Sequence, residues 1–332
     1  MDVVATARPA TRSGDLVADI VADVVATTRR NTAVYSRNLF HAPWGFGIPP
    51  MHVASFQVVT SGACWLVPAG GDPVHLSGGD VVLVLSGSAY AMVDAPGTPV
   101  RQLTELLGGP LGQTPARHLI LDGSGPVTSL LCGGYLLDTG PRHPLTTVLP
   151  PVVHIAAGQA RGTGLAATVE LLSDEVDRAD PGASAVITAL VELLFVYVLR
   201  AWLADHSRTT KGWVGALYDP VVGSALALIH SAPDRPWSVV SLARAVGLPR
   251  TTFNRRFVQL TGHAPMAYLT CWRMSLASRL LREERHPLRE IARRVGYDSE
   301  FAFARAFKRR VGQAPGQYRA SVGNNGWAGP PA

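Results

Sequence analysis

Ser241-Leu-Ala-Arg-Ala-Val-Gly247, Leu248-Pro-Arg-Thr-Thr-Phe253-Asn-Arg255-Arg-Phe257 and Gly262-His-Ala-Pro265-Met-Ala-Tyr268 make up a pattern that the chain uses twice. The second copy runs Glu290-Ile-Ala-Arg-Arg-Val-Gly296, Phe303-Ala-Arg305-Ala-Phe307 and Gly312-Gln-Ala-Pro315-Gly-Gln-Tyr318. Glycine falls on glycine, Phe-x-Arg-x-Phe on Phe-x-Arg-x-Phe, and Ala-Pro-x-x-Tyr on Ala-Pro-x-x-Tyr, with one extra residue in the second turn. An internal repeat implies one physical unit built twice.

Each copy reads as helix, tight turn, helix. Leu242, Ala243 and Val246 form an apolar stripe at helical spacing, as do Ile291, Ala292 and Val295. Gly247 and Gly296 stop those helices, because glycine accepts the left-handed backbone of a sharp turn. Pro249 suits the first turn of the next helix, and Asp298 or Ser299 suits an N-cap. The spacing then points Phe253, Phe257 and Leu260 inward in the first copy, and Phe303 and Phe307 in the second. Arg250, Thr251, Asn254 and Arg255 point out of the first; Glu300, Arg305 and Lys308 point out of the second. A short helix, a glycine turn and a helix with a basic outer face form the helix-turn-helix pattern. One such turn is common in all-helical proteins; two with arginines at matched outward positions favour nucleic acid.

The charge distribution agrees. Residues 220–332 hold 17 Lys+Arg against 6 Asp+Glu, and residues 1–219 hold 13 against 18. A basic C-terminal part beside a mildly acidic N-terminal part places phosphate-backbone binding in the former. Cys64, Cys132 and Cys271 are widely spaced, which excludes a zinc ribbon or disulfide framework and suits a reducing cytoplasm. Met1 to Ala10 lacks the continuous apolar run of a signal peptide. Ala185 to Ala204 is long and apolar enough for a membrane span, but it carries Glu192 and Arg200. A buried or dimer-interface helix is the expectation there, with no membrane partner.

Residues 15–30 pattern as a short amphipathic helix. From residue 33 to residue 151, β-branched runs (52–59, 64–67, 81–85, 118–121 and 127–131) alternate with glycine-rich turns. That spacing predicts a small β-barrel or sandwich. Helices are expected over 164–179 and 183–205, a linker over 206–218, and a long joining helix over 265–284. The fold class is therefore α+β: an N-terminal barrel with a helical hairpin, then an all-α domain with two helix-turn-helix units. The expected domains are 1–160 (sensor), 161–218 (dimerisation helices and linker), 219–322 (DNA binding) and a disordered tail over 323–332.

Residues 219–320 resemble the AraC/XylS family of transcription regulators. The resemblance rests on Trp272-Arg273-Met274, Ala292-x-x-Val-Gly-Tyr297, Ser299-Glu300 and Ala302-Phe-x-Arg305-Ala-Phe307-Lys308. The N-terminal half is similar to the cupin-type sensor domain of one branch, through Gly62-x-Cys64-Trp65-Leu66, Gly78-Gly79-Asp80-Val81, Cys132-Gly-Gly-Tyr135 and His143-Pro144-Leu145. The resemblance implies a DNA-binding regulator, not an enzyme, with double-stranded DNA as partner. A small-molecule effector is a further expected partner, as is RNA polymerase if the chain activates; the homodimer is expected from the 183–205 helix, which is apolar around most of its circumference.

Thr251, Asn254 and Arg255 are the expected base readers of the first unit, with Arg250 and Arg256 meeting phosphate or supporting the helix. Glu300, Ala302 and Arg305 are the expected readers of the second, beside Ser299 and Lys308. Where cupins of this branch carry metal-binding histidines, this chain has Gln57 and Tyr90, so no metal or cofactor is expected. His52, Gln57, Trp65 and Tyr90 are the candidate effector-binding residues. The alternative, a cupin metalloenzyme fused to a helical domain, needs three or four convergent ligands, and no H-x-H or H-x-x-E-H motif supplies them. A DNA-alkylation repair protein would need a Pro-Cys-His motif, which none of the three cysteines provides.

Overall fold

The computed structural model describes residues 20–23, 26, 29–31, 35–51, 53–85, 87–109, 118–137, 149–178, 180–206, 212–283 and 286–324. The described chain forms two compact units. The first holds the described residues between 29 and 205, and the second holds those between 206 and 319 together with residues 20–23 and 26.

The first unit is two facing sheets. One has the strand order β10 (Ile120–Leu121), β2 (Tyr35–His41), β11 (Val127–Leu137), β4 (Val53–Ser61), β7 (Val81–Val84), β12 (Val152–Ile155), with β1 (Arg29–Asn31) also on β11. The other runs β6 (Val74–Ser77), β5 (Ala63–Pro68), β8 (Tyr90–Val93), β3 (Gly45–Ile48), β9 (Arg101–Gln102). Between them Phe40, Trp44, Phe46, Leu66, Met92 and Leu130 are buried, each contributing about 1.5–3 kcal/mol on a transfer basis. β4 is buried from Ala54 to Val59, with the polar Ser55 and Gln57 among its inward residues. Its inward residues alternate with Ala54, Phe56 and Val58 on the outer face. There Phe56 meets Tyr135 (ring centroids 5.4 Å apart), and Tyr135 meets Phe195 (4.8 Å).

Phe195 belongs to the long helix Ala183–Asp205, which packs on Gly164–Arg178. The long helix has the length and apolar character of a membrane span. Its Ile187, Val191, Leu194, Phe195, Val198 and Leu203 are nevertheless buried, and the Val191 carbonyl accepts the Tyr135 hydroxyl at 2.9 Å.

The second unit repeats itself in three dimensions. Val239–Ala245 and Leu288–Arg294 are each 7 residues long, and Arg250–Thr261 and Glu300–Val311 each 12. The turns are the same turn. Gly247 (φ +71°) and Gly296 (φ +78°) are left-handed. Leu248 N–H reaches Ala243 O at 3.0 Å, and Tyr297 N–H reaches Ala292 O at 2.9 Å, the Schellman closure of a helix. The cores match too: Phe253–Phe257 and Phe303–Phe307 are both 5.7 Å apart, with Tyr268 and Tyr318 behind them. Pro265–Glu283 joins the two copies.

Several expectations need correction. Residues 29–30, expected in the first helix, pair as a strand with β11. Ile20 and Val21 are buried, and Asp23 Oδ2 lies 3.0 Å from His230 Nδ1, so this segment packs in the helical unit. The 206–218 linker contains a helix, Gly212–Tyr218. Pro249 sits one residue earlier than expected, at the N-cap, because its ψ of 143° is extended. The last helix runs to Asn324, into the segment expected as a tail; residues 325–332 lie outside the described residues, as do His52 and His143.

Candidate nucleic-acid interface

Each recognition helix is fixed from behind by its rings, which determines what faces away. Phe253 and Phe257 in the first, and Phe303, Ala306 and Phe307 in the second, are buried. At 3.6 residues per turn the opposite faces carry Thr251 and Arg255, and Phe301 and Arg305. Arg250, Thr251, Arg255, Glu300, Ala302, Arg305 and Lys308 are exposed, and Asn254 is half-buried. Among the described residues no ion pair or hydrogen bond engages the side chains of Arg250, Arg255, Arg305 or Lys308. Those cations remain available to an outside anion.

Two of the expected residues have structural duties. Arg256 points sideways, and its Nη2 and Nε lie 2.6 and 3.0 Å from Asp219 Oδ2. Asp219 caps the helix Pro220–Ser231 through Oδ1, which accepts from Val221 N–H at 3.0 Å and Val222 N–H at 2.9 Å. Arg256 thus takes the supporting role. Ser299 is the N-cap of the second recognition helix, accepting from Ala302 N–H at 3.4 Å.

The structural match between copies also differs from the one expected. Counting from Phe253 and Phe303, Thr251 corresponds to Phe301 and Asn254 to Ala304; Glu300 and Ala302 correspond to Arg250 and Thr252. Phe301, which sequence reasoning passed over, is 85% exposed.

Arg273, in the joining helix, links the two copies. Its Nε donates to Pro233 O at 2.7 Å and its Nη2 to Arg235 O at 2.9 Å, both beside the first copy. The same guanidinium lies 5.7 Å from the centroid of Tyr297 in the second copy. A planar cation suits this double task, two carbonyls at its edge and a ring at its face.

In the barrel, Tyr90 hydroxyl is 2.7 Å from Ser55 Oγ and accepts from Gln57 Nε2 at 2.8 Å. Gln57 Oε1 is buried and has no hydrogen-bond partner among the described residues. These donors are an amide, a phenol and a hydroxyl bonded to one another, which does not fit a cupin metal. Among the described residues no three His, Cys, Asp or Glu side chains converge on a metal position. Trp65 must be removed from the lining set. Cys64 and Leu66 are the buried inward residues of β5, and a strand's period of two turns Trp65 outward against His75, ring centroids 4.9 Å apart. Ser55, missed in the sequence, lies two residues before Gln57 on the same face. Burial, with Asp80 adding to it, pushes the Cys64 thiol up to about 12. Burial likewise pushes Cys132 up to about 12, against the hydrogen bond from Asn38. Both thiols are therefore poor nucleophiles at neutral pH.

Comparison with known proteins gives two family matches: a cupin model over residues 19–204 and a helix-turn-helix domain model over residues 242–321. A protein of Streptomyces antibioticus named as an AraC-like transcription regulator is 34% identical over 278 residues, 83% of this chain and 90% of that one. The transcriptional regulator AlkR of Acinetobacter baylyi is 35% identical over 185 residues, 55% of this chain and 60% of that one. The DNA-binding domain of AdpA, solved in complex with a target DNA, is 35% identical, with a TM-score of 0.30, over 31% of this chain and 92% of that one.

Proposed function

The chain belongs to the AraC family of transcription regulators, with a cupin domain ahead of the paired helix-turn-helix units, and from that premise we propose how it reads DNA. Both recognition helices enter the major groove. Arg255 and Arg305 each pair with a guanine through two hydrogen bonds, Asn254 pairs with an adenine, and Thr251 meets a base edge beside them. Arg250 and Lys308 hold phosphates, while Glu300 and Ala302 border the second contact. The observation that carries this reading is the repeat itself: two units of the same build present, at the same outward position, an arginine whose side chain no ion pair or hydrogen bond engages among the described residues.

The joining helix holds the units so that they meet groove segments roughly 34 Å apart on one side of the duplex. Each protomer covers a direct, non-palindromic site, and binding falls steeply with salt. Residues 219–322 act as the DNA-binding domain, and residues 1–160 as the sensor. A small polar effector is received at Gln57, whose buried carbonyl oxygen lacks a partner among the described residues, next to Tyr90. The hairpin within residues 161–218 makes the homodimer. Leu171, Val186 and Leu193 are large apolar residues left exposed there, and a second copy covers them. The chain works in the cytoplasm on the chromosome, and meets RNA polymerase where it activates.

The test is binding-site selection with the purified full chain. Arg255→Ala and Arg305→Ala should each relax one base position, at a cost of about 1–3 kcal/mol. Unchanged sequence preference in both variants would refute the assignment.

A further inference from the structure

We propose that Phe301 is a specificity residue that reads thymine through its C5 methyl group in the second half of the DNA site. The proposal rests on the DNA-binding reading above and adds a residue and a base to it.

The argument starts from an imbalance within one helix. Phe303 and Phe307 are fully buried, whereas Phe301 is 85% exposed, against 58% for Ile120 and 57% for Leu171. A phenyl ring left in water costs the free energy that its burial would recover. Its direction is set by the rings behind it. At about 100° per residue, Phe303, Ala306 and Phe307 define the inward direction, and Phe301 and Arg305 lie within about 30° of the opposite one. Phe301 is therefore at the centre of the outward face, one turn before Arg305 and two before Lys308.

Those neighbours identify what covers the ring. Glu300, Ala302, Arg305 and Lys308 around it are exposed, and none is a large apolar residue. A protein partner of ordinary kind would bury a contiguous apolar patch, which this face does not offer. The matching surface is one lined by anions that carries an isolated apolar group. The major groove of B-DNA is such a surface: phosphates flank it, and the thymine methyl is its apolar feature. The first unit places Thr251 at the same position, so the two units present different chemistry there.

The test starts from the duplex enriched by binding-site selection with the full chain. Each thymine is replaced in turn by deoxyuridine, which pairs identically and lacks only the methyl. Affinity is measured by fluorescence anisotropy. For the wild-type chain, one or two thymines in the second half-site should lose about fourfold in affinity on losing the methyl. Phe301→Ala should bind the thymine duplex at that weakened level and no longer distinguish thymine from deoxyuridine there. Phe301→Leu should keep part of the distinction. Arg305→Ala should bind more weakly yet still distinguish them, which separates the two readings. Because the ring is exposed, Phe301→Ala should leave the unfolding transition in place. The proposal is overturned if no thymine in the second half-site responds to loss of its methyl, or if Phe301→Ala retains both affinity and discrimination. Selection that enriches no sequence with the wild-type chain would overturn this proposal and the DNA-binding reading together.

Discussion

Gly247 and Gly296 occupy the same turn in the two copies, and replacing each by alanine should not cost the same. Both have a left-handed backbone, φ +71° and +78°, so each Gly→Ala change carries about 1–2 kcal/mol of backbone strain. At Gly247 an added Cβ has no neighbour within 4 Å, and the strain is the whole cost. At Gly296 it would lie 2.4 Å from Arg273 Nη2 and 2.7 Å from Cζ. The guanidinium must leave. It is a flexible group, but it holds Pro233 O and Arg235 O. These bonds are partly exposed, so their loss is set at about 1 kcal/mol each, below the usual range for charged donors. Gly296→Ala should then cost about 3–4 kcal/mol, roughly twice the cost at Gly247. In an Arg273→Ala background the obstacle is gone, and Gly296→Ala should fall back to about 1–2 kcal/mol, a coupling of about 2 kcal/mol. Urea unfolding of the full chain measures the totals, and native-state hydrogen exchange at Phe303–Phe307 assigns the loss to the second copy. Equal costs at the two glycines, or no relief from Arg273→Ala, would refute the linking role of Arg273.

Leu193→Glu should dissociate the proposed dimer and leave the fold intact, since Leu193 is 46% exposed, while Leu194→Glu should unfold the hairpin, since Leu194 is fully buried; sedimentation and circular dichroism separate the two, and a monomeric wild type at micromolar concentration would refute the proposed dimer altogether. Asp219→Ala should destabilise the helical unit by about 1–2 kcal/mol through its cap, and Arg256→Ala by under about 1 kcal/mol, with the salt dependence of DNA binding unchanged in Arg256→Ala; a shallower salt slope would make Arg256 a phosphate contact. Burial holds His230 below its ordinary value of 6.5, against the pull of Asp23, so the unfolded chain takes up this proton at higher pH than the folded one. The stability linked to it is intact above about pH 6.5 and declines as pH falls from there toward the folded value; His230→Gln should flatten urea midpoints between pH 7 and 5, and equal slopes in the two proteins would refute the linkage.

The helical unit was legible because its stabilising contacts are local and periodic. The joining helix falls within a residue of its expected bounds for that reason, and so does the Ala183–Asp205 helix of the first unit. The barrel was legible only in part. β2 reads Tyr-Ser-Arg-Asn-Leu-Phe-His, with Asn38 and Arg37 breaking the apolar alternation, yet it lies between β10 and β11. Asn38 Oδ1 is satisfied at long range, accepting from Leu119 N–H at 3.1 Å. No window along the chain contains that information. The helix Gly212–Tyr218 was hidden by its two glycines, which read as linker, although Trp213, Val214, Ala216 and Leu217 are all buried.

The site shows the same division, and it bears on the form of the DNA target. Inward positions of the two copies are alike: Phe253 and Phe303, Phe257 and Phe307, Tyr268 and Tyr318 are the same residues in the same contacts. Those similarities made the repeat visible. Phe301 lies outside that shared inward set, and its 85% exposure is a property of the folded helix. Outward positions diverge, with Thr251 against Phe301, Asn254 against Ala304, and Arg250 against Glu300; Arg255 and Arg305 alone agree. Packing constrains the side chain behind the helix to one shape, whereas the side chain in front is constrained only by what it touches. Two units with one scaffold and different outer faces must touch different things. On the proposed reading a single protomer therefore has two unlike half-sites, each anchored on a guanine, and symmetry in the DNA target would arise only from a second protomer.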